Sequence, residues 1–316
     1  MARNILIHTR NLKIPGGKQT YLIALQKYFE NDISYFYYGS QTSQKESVFK
    51  FIFRFFGDYI KFYRLLKKGR FDLVHINTSF NLKSYFRDSI FTLISKMLHN
   101  KTVVFWHGWR WDFEKKYARK IISYFHLTFG KADSMICLAS EFADKLKEYG
   151  YKKPVYIETT VIEDSILNHV DGIISTEFTN SPKNLLFLSR VEIPKGIYET
   201  IDSFKNLKIK FPQLVLTIAG TGTELQRVKA YTLENDIQDI QFLGWVDCEE
   251  KISALDKSDI FVLASYSEGM PICVLEAMAI GKPVITSRTG AIKDFFEDGK
   301  MGFLTKIKDS KDLENK

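Results

Sequence analysis

Residues 265–290, SYSEGMPICVLEAMAIGKPVITSRTG, carry the chain from one β-rich run through a loop and a helix to the next. The run IFVLA, 260–264, precedes the loop, and PVITS, 283–287, follows the helix. Pro271 suits the first helical position, because its missing N–H is one of those that find no partner there. Gly281 stands where a left-handed residue would end the helix, and Pro283 blocks its continuation. Strand, helix and strand in this order read as one βαβ unit, since parallel neighbours require a crossover of helix length.

The same alternation runs outward through nearly the whole chain. Further strands are expected at 4–9, 34–39, 71–78, 102–107, 135–139 and 155–160, then at 184–190, 214–220 and 240–244. Helical patterns fill the first half at 18–30, 47–68, 81–98, 114–129 and 140–149. The fold class is therefore α/β, with two Rossmann-like doubly wound domains expected to face each other across a cleft. Residues 1–165 form the first domain and 183–316 the second. The linker is placed at 166–182, where DGIISTEFTNSP (171–182) gathers turn formers and loses its period.

Composition excludes other classes. With 45% hydrophobic and 26% charged residues the chain is neither disordered nor fibrous. No uninterrupted apolar run reaches the roughly 18 residues of a spanning helix. MARNILIHTR is too short in apolar residues for a secretory signal. Cys137, Cys248 and Cys273 fit neither a disulfide framework nor metal-ligand spacing, so a reducing cytosol is expected. Residues 1–165 hold 27 Lys/Arg against 15 Asp/Glu, net +12, and 166–316 hold 18 against 22, net −4. The basic half suits nucleic acid, anionic lipid or a phosphorylated small molecule, but no nucleic-acid motif accompanies it.

In doubly wound sheets ligands sit at the carboxyl ends of strands. Backbone amides around Gly269, Met270 and Pro271 would there form a helix N-terminus able to receive phosphate. Glu268 before the helix and Glu276 within it could accept hydrogen bonds from hydroxyls at two depths. They could equally be a loop acid and a partly exposed helix residue.

At this point the segment resembles the signature of the retaining glycosyltransferases of GT-B fold, family 4 (group 1). That signature is Glu, seven residues, Glu, then Ala-Met-Ala-x-Gly-x-Pro-Val-Ile, and the likeness continues into EDGKMGFL at 297–304. LLFLSRVEIPKG (185–196) resembles the family strand ending in an arginine followed by Lys-Gly, which marks Arg190 and Lys195 on an exposed loop. LTIAGTGTE resembles its glycine turn, with Gly220 and Gly222. FLGWV resembles the stretch whose backbone, at Trp245 and Val246, meets the nucleotide base. In the first half Gly16 and Gly17 of PGG resemble the family's glycine loop, and His107 of VVFWHGW is placed at a strand end beside the reaction centre. Two departures stand out. AIKDF at 291–295 has Asp294 where the family often has Pro-Glu, and the chain stops at KDSKDLENK, so the C-terminal helices that complete the family fold are expected to be missing.

The resemblance implies transfer of a sugar from a nucleotide diphosphate, expected to be a UDP-sugar, to a glycan or lipid-linked hydroxyl with retention. Glu276 would bind ribose, Glu268 the donor sugar, and Arg190 and Lys195 the leaving diphosphate. No Asp-x-Asp motif occurs, so no cofactor or divalent metal is expected. The enzyme would work in the cytoplasm, peripheral at the inner face of the membrane, in polysaccharide or glycolipid synthesis. The alternative is a catalytically silent GT-B partner of another transferase. A membrane contact is expected at VFKFIFRFFGDYIKFYRLLKK (48–68), where Lys50, Arg54, Lys61, Arg64 and Lys68 fall within about 80° of helical arc.

Overall fold

Parallel strands buried on both faces need apolar side chains throughout, and the strand runs of this chain supply them. The computed structural model describes residues 4–14, 16–29, 32–40, 47–170 and 183–316. Pro15 and residues 171–182, the greater part of the expected linker, lie outside the described residues. The chain divides into two compact units, 1–161 and 162–316.

In the first unit the order is β1 (Asn4–Thr9), α1 (Gly17–Leu25), β2 (Asp32–Tyr37), α2 (Val48–Lys68), β3 (Leu73–Phe80) and α3 (Leu82–Met97). It continues with β4 (Thr102–Trp109), α4 (Trp111–Leu127), β5 (Ser134–Cys137), α5 (Ser140–Glu148) and β6 (Val155–Ile157). These six strands form one sheet in the order β2-β1-β3-β4-β5-β6, parallel throughout. The chain winds to one side through β2, then crosses to β3, so the order reverses beside β1.

The second unit opens with α6 (Asp164–Val170), a helix where the sequence places the start of the linker. Then come β7 (Asn184–Leu188), α7 (Ile197–Lys210), β8 (Val215–Ala219), α8 (Leu225–Glu234), β9 (Ile240–Gly244) and α9 (Cys248–Lys257). The last elements are β10 (Ile260–Leu263), α10 (Ile272–Ala279), β11 (Val284–Ser287), α11 (Ile292–Phe295), β12 (Phe303–Thr305) and α12 (Ser310–Glu314). Strand β12 is absent from the sequence reading, because three residues are too few to show a period. The sheet runs β12-β11-β10-β7-β8-β9, again all parallel, and reverses between β7 and β10. Among the described residues no helix is long and apolar enough to cross a membrane.

The first core is aromatic. Phe80 stacks on Trp109 with ring centroids 3.9 Å apart, and Trp106, Tyr85, Phe125 and Phe129 are fully buried with them. Histidines also enter it, His8 wholly and His75 and His107 in part. His8 is buried between Tyr38 and Phe91 with no hydrogen-bond partner on either ring nitrogen. Burial lowers its pKa to about 3, against the opposing pull of Asp88, and that of His75 to about 4. Asp88 is held ionised although it too is buried, because Arg87 bonds both its oxygens, at 2.6 and 2.8 Å.

These histidines set an acid limit. Unfolded histidine takes up its proton near pH 6.5, whereas His8 and His75 stay neutral until about pH 3 to 4. The unfolded chain thus binds more protons below pH 6.5, and stability is complete above that value and lost as pH falls toward 4. The slope is about 1.4 kcal/mol per pH unit for each histidine. Thermal melts at pH 7.5 and 5 should show a marked fall in melting temperature. His8→Phe, which removes two unpaired nitrogens and keeps the ring stack, should show a smaller one. Equal falls for both proteins would contradict the assignment to His8.

Candidate active site

At the carboxyl end of the second sheet, the loops after β7 and β10 meet at the point where strand order reverses. Beyond β7 the chain passes Arg190 and a 3₁₀ turn, Ile193–Lys195, to Gly196, which precedes α7 in a left-handed conformation (φ 72°). Beyond β10 it passes Ser265 and Glu268 into α10. The two loops are tied by the backbone, with Tyr266 N–H donating to the Pro194 carbonyl at 2.9 Å. The Lys195 ammonium then reaches Glu268 Oε1 at 2.6 Å, and Ser265 Oγ donates to the same oxygen at 2.6 Å. Lys195 is not on an exposed loop as its sequence context suggests. Its side chain is only 15% exposed, because the turn folds it back against Glu268. Arg190 does project outward, 63% exposed and paired with Glu192 at 2.7 Å.

Glu276 lies just past the first turn of α10, with its side chain 4% exposed. It is neither solvated nor alone, since Lys251 of α9 donates to its Oε1 at 2.6 Å. Burial raises its pKa and Lys251 only partly offsets this. Cys273 lies between the two carboxylates, and its thiol, raised by burial first and by Glu268 next, reaches about 12. Lys195, Ser265, Glu268, Cys273, Glu276 and Lys251 thus gather around the start of α10.

Pro271 is the cap of α10 and not its first helical residue, so the helix starts one position later than the sequence suggests. The other end follows expectation. Gly281 (φ 76°) donates to Met278 and Lys282 to Ala277, a Schellman closure that sends the chain into β11. Gly290 holds the site loop from behind. A Cβ there would lie 2.3 Å from the carbonyl oxygens of both Glu268 and Gly269. Gly220 and Gly222 allow similar approach to the loop after β7, where added Cβ atoms would meet Ser189 and Val191 carbonyls at 1.9 and 2.2 Å. Trp245 is half exposed. Val246 turns inward to line a cavity of about 510 Å³ with Leu243 and Ala254.

The first unit holds the remaining candidates. His107 lies two residues inside β4 and not at its end, because pairing with β3 resumes past an irregularity and runs on to Trp109. Its Nε2 is 2.7 Å from Asn77 Oδ1, while Asn77 Nδ2 donates to the His8 carbonyl at 3.1 Å. The amide is therefore oriented with its oxygen toward the ring. That places the imidazole proton on Nε2 and leaves Nδ1 as an acceptor. Burial keeps this histidine neutral, with Lys18 and His75 adding to the effect. Gly16 and Gly17 open α1, and Lys18 follows, its pKa lowered to about 7 by burial.

Ser265, Lys251, Asn77 and Lys18 stand beside the candidate residues and are passed over by sequence reading. Asn77 and Lys18 carried a local signal, a polar residue inside an apolar strand and a cation directly after the glycine pair. Lys251 had none, since its partner is 25 positions away on another helix.

Known proteins resemble the chain over both units. A family described as Glycosyl transferases group 1 matches residues 174–316, and one described as Glycosyltransferase Family 4 matches residues 26–161. Glycogen synthase of Mycobacterium tuberculosis is 29% identical over 174 residues, 54% of this chain and 41% of that protein. A putative colanic acid biosynthesis glycosyltransferase of Salmonella typhimurium, WcaL, is 24% identical over 208 residues, 62% of this chain and 50% of that protein. The chain thus spans about half the length of the curated relatives it matches. Anabaena HepE, solved with UDP and glucose, superposes with a TM-score of 0.70 at 18% identity, over 99% of this chain and 88% of that one. That likeness is one of fold, the GT-B fold, whose two α/β units each hold a parallel sheet.

The Lys251–Glu276 pair offers a test of local energetics. Lys251→Met would leave a buried carboxylate without its cation and should cost about 3 kcal/mol in urea unfolding. Adding Glu276→Leu should recover most of that loss. A double variant no more stable than the single one would mean that the pair is not coupled.

Proposed function

Because this chain belongs to glycosyltransferase family 4, the group 1 transferases of GT-B fold, we propose that it transfers a sugar from a nucleotide diphosphate to an acceptor hydroxyl with retention. The observation that carries the reading is the Lys195–Glu268 pair at the strand-order reversal, 2.6 Å long and largely withdrawn from water. A silent partner subunit would have no need to hold a cation and a carboxylate there.

In this reading the donor is a UDP-sugar, as HepE, of the same fold, was solved in complex with UDP and glucose. Glu276 accepts from the ribose hydroxyls, taking them in exchange for part of its bond to Lys251. Glu268, its Oε1 held by Lys195 and Ser265, accepts from hydroxyls of the transferred sugar. Lys195 and Arg190 face the diphosphate, and amides of Gly269, Met270 and the first turn of α10 add donors. As the bond from the anomeric carbon to phosphate oxygen breaks, these groups stabilise the charge left on phosphate. The acceptor oxygen bonds to the same face of the sugar and its proton passes to the leaving phosphate. Neutral His107, with Nδ1 free to accept, orients a hydroxyl. No divalent metal is required, since fixed cations already meet the phosphate charge. The acceptor is a glycan or lipid-linked hydroxyl and the compartment the cytoplasm. Polysaccharide synthesis is the setting, as the names of the relatives suggest.

Thermal shift against a panel of sugar nucleotides should single out a UDP-sugar. Stabilisation should reach about 2.7 kcal/mol at 100 times the dissociation constant. Glu276→Gln should weaken nucleotide binding, and Glu268→Gln should chiefly lower turnover, each by about 1.5–3 kcal/mol. Activity should survive EDTA. Loss of activity in EDTA with recovery in manganese, or two variants that behave as wild type, would refute the reading.

A further inference from the structure

Helix α2 carries two apolar faces where packing on a core requires one. The inner face is settled. Asp58, Phe62 and Leu66 are buried, and Phe62 and Tyr59 pack on Phe91 of α3. At about 3.6 residues per turn, Ile52, Tyr63, Phe56, Phe49, Ile60 and Phe53 fall on a second stripe about 100° wide, beside the first. That stripe faces water. Phe49 and Phe53 are each 77% exposed, Phe56 60% and Ile60 52%.

A third stripe flanks it. Lys50, Arg54, Lys61, Arg64 and Lys68 lie along the far edge of the exposed aromatics, within about 80° of arc. The only acid of the helix, Asp58, is buried against Gly39 N–H and Arg54, so the exposed charge of α2 is all positive. Ser47 Oγ caps the first turn of the helix by accepting from Lys50 N–H.

We propose that the outer face of α2 docks the first unit onto an anionic lipid surface. A convex helix offers no groove to a shaped protein partner. It can lie in the plane of a bilayer interface, aromatics below the headgroups and cations among the phosphates. Charge complementarity commits the site to lipid, since a second copy of the chain would bring the same basic stripe against itself. The inference goes beyond sugar transfer and is tested without donor or acceptor, so it stands or falls apart from that reading.

Flotation with phosphatidylcholine vesicles, with and without phosphatidylglycerol, is the experiment. Wild type should float with the anionic vesicles. The bound fraction should drop at least tenfold on neutral vesicles, in high salt, and in two variants, Phe49→Ser/Phe53→Ser/Phe56→Ser and Lys50→Glu/Lys61→Glu/Arg64→Glu. These positions are exposed, and unchanged circular dichroism would confirm the fold. Should the triple aromatic variant unfold, Phe53→Ser alone carries the same test. Failure of wild type to float, equal binding to neutral vesicles, or variants that float normally would overturn the proposal. So would a lipid-free dimer, seen by sedimentation velocity and abolished by the aromatic changes.

Discussion

The bond between Lys195 and Glu268 joins side chains 73 residues apart, and the second unit is arranged around the meeting of their loops. A cation and a carboxylate so far withdrawn from water pay a desolvation cost that their attraction only roughly repays. The pair is therefore poor as a source of stability and informative as a device of position. It fixes both groups at the carboxyl end of the sheet, where the proposed function has a diphosphate meet the cation and a sugar hydroxyl meet the carboxylate. Gly290 makes that meeting possible, because no side chain fits where it backs onto the carbonyls of Glu268 and Gly269.

A similar economy governs Glu276. Its carboxylate is kept inside by Lys251, and burial makes it readier than a surface glutamate to hold a proton. The first unit works differently. Its aromatic core holds histidines that burial keeps neutral, and Asp88 beside them is held ionised by Arg87.

Much of this could be read before any coordinates. The period of the apolar runs implied parallel sheets, and the Gly281–Pro283 closure of α10 lies where turn chemistry demands it. Errors came where long-range pairing overrode local signals. Strand β4 runs past His107 because β3 continues to pair with it. Helix α1 stops short at Leu25, and a 3₁₀ turn over Gln26–Tyr28 takes up part of the length its pattern suggested. Pro271 caps α10 from outside, since its backbone is extended (ψ 107°).

Local spacing and residue chemistry, then, were enough to establish the fold class, the likeness to a transferase family and the candidates Glu268, Glu276, Arg190 and Lys195. They could do so because periodicity, caps and glycine turns are written over a few neighbouring residues. The partners of those candidates were decided by tertiary structure alone. Whether Lys195 faces water or Glu268, whether Glu276 is solvated or buried on Lys251, and whether the aromatics of α2 meet a core or open water depend on which distant segments pack together. A helical pattern records how many apolar faces a segment has, and only packing decides which of them is covered.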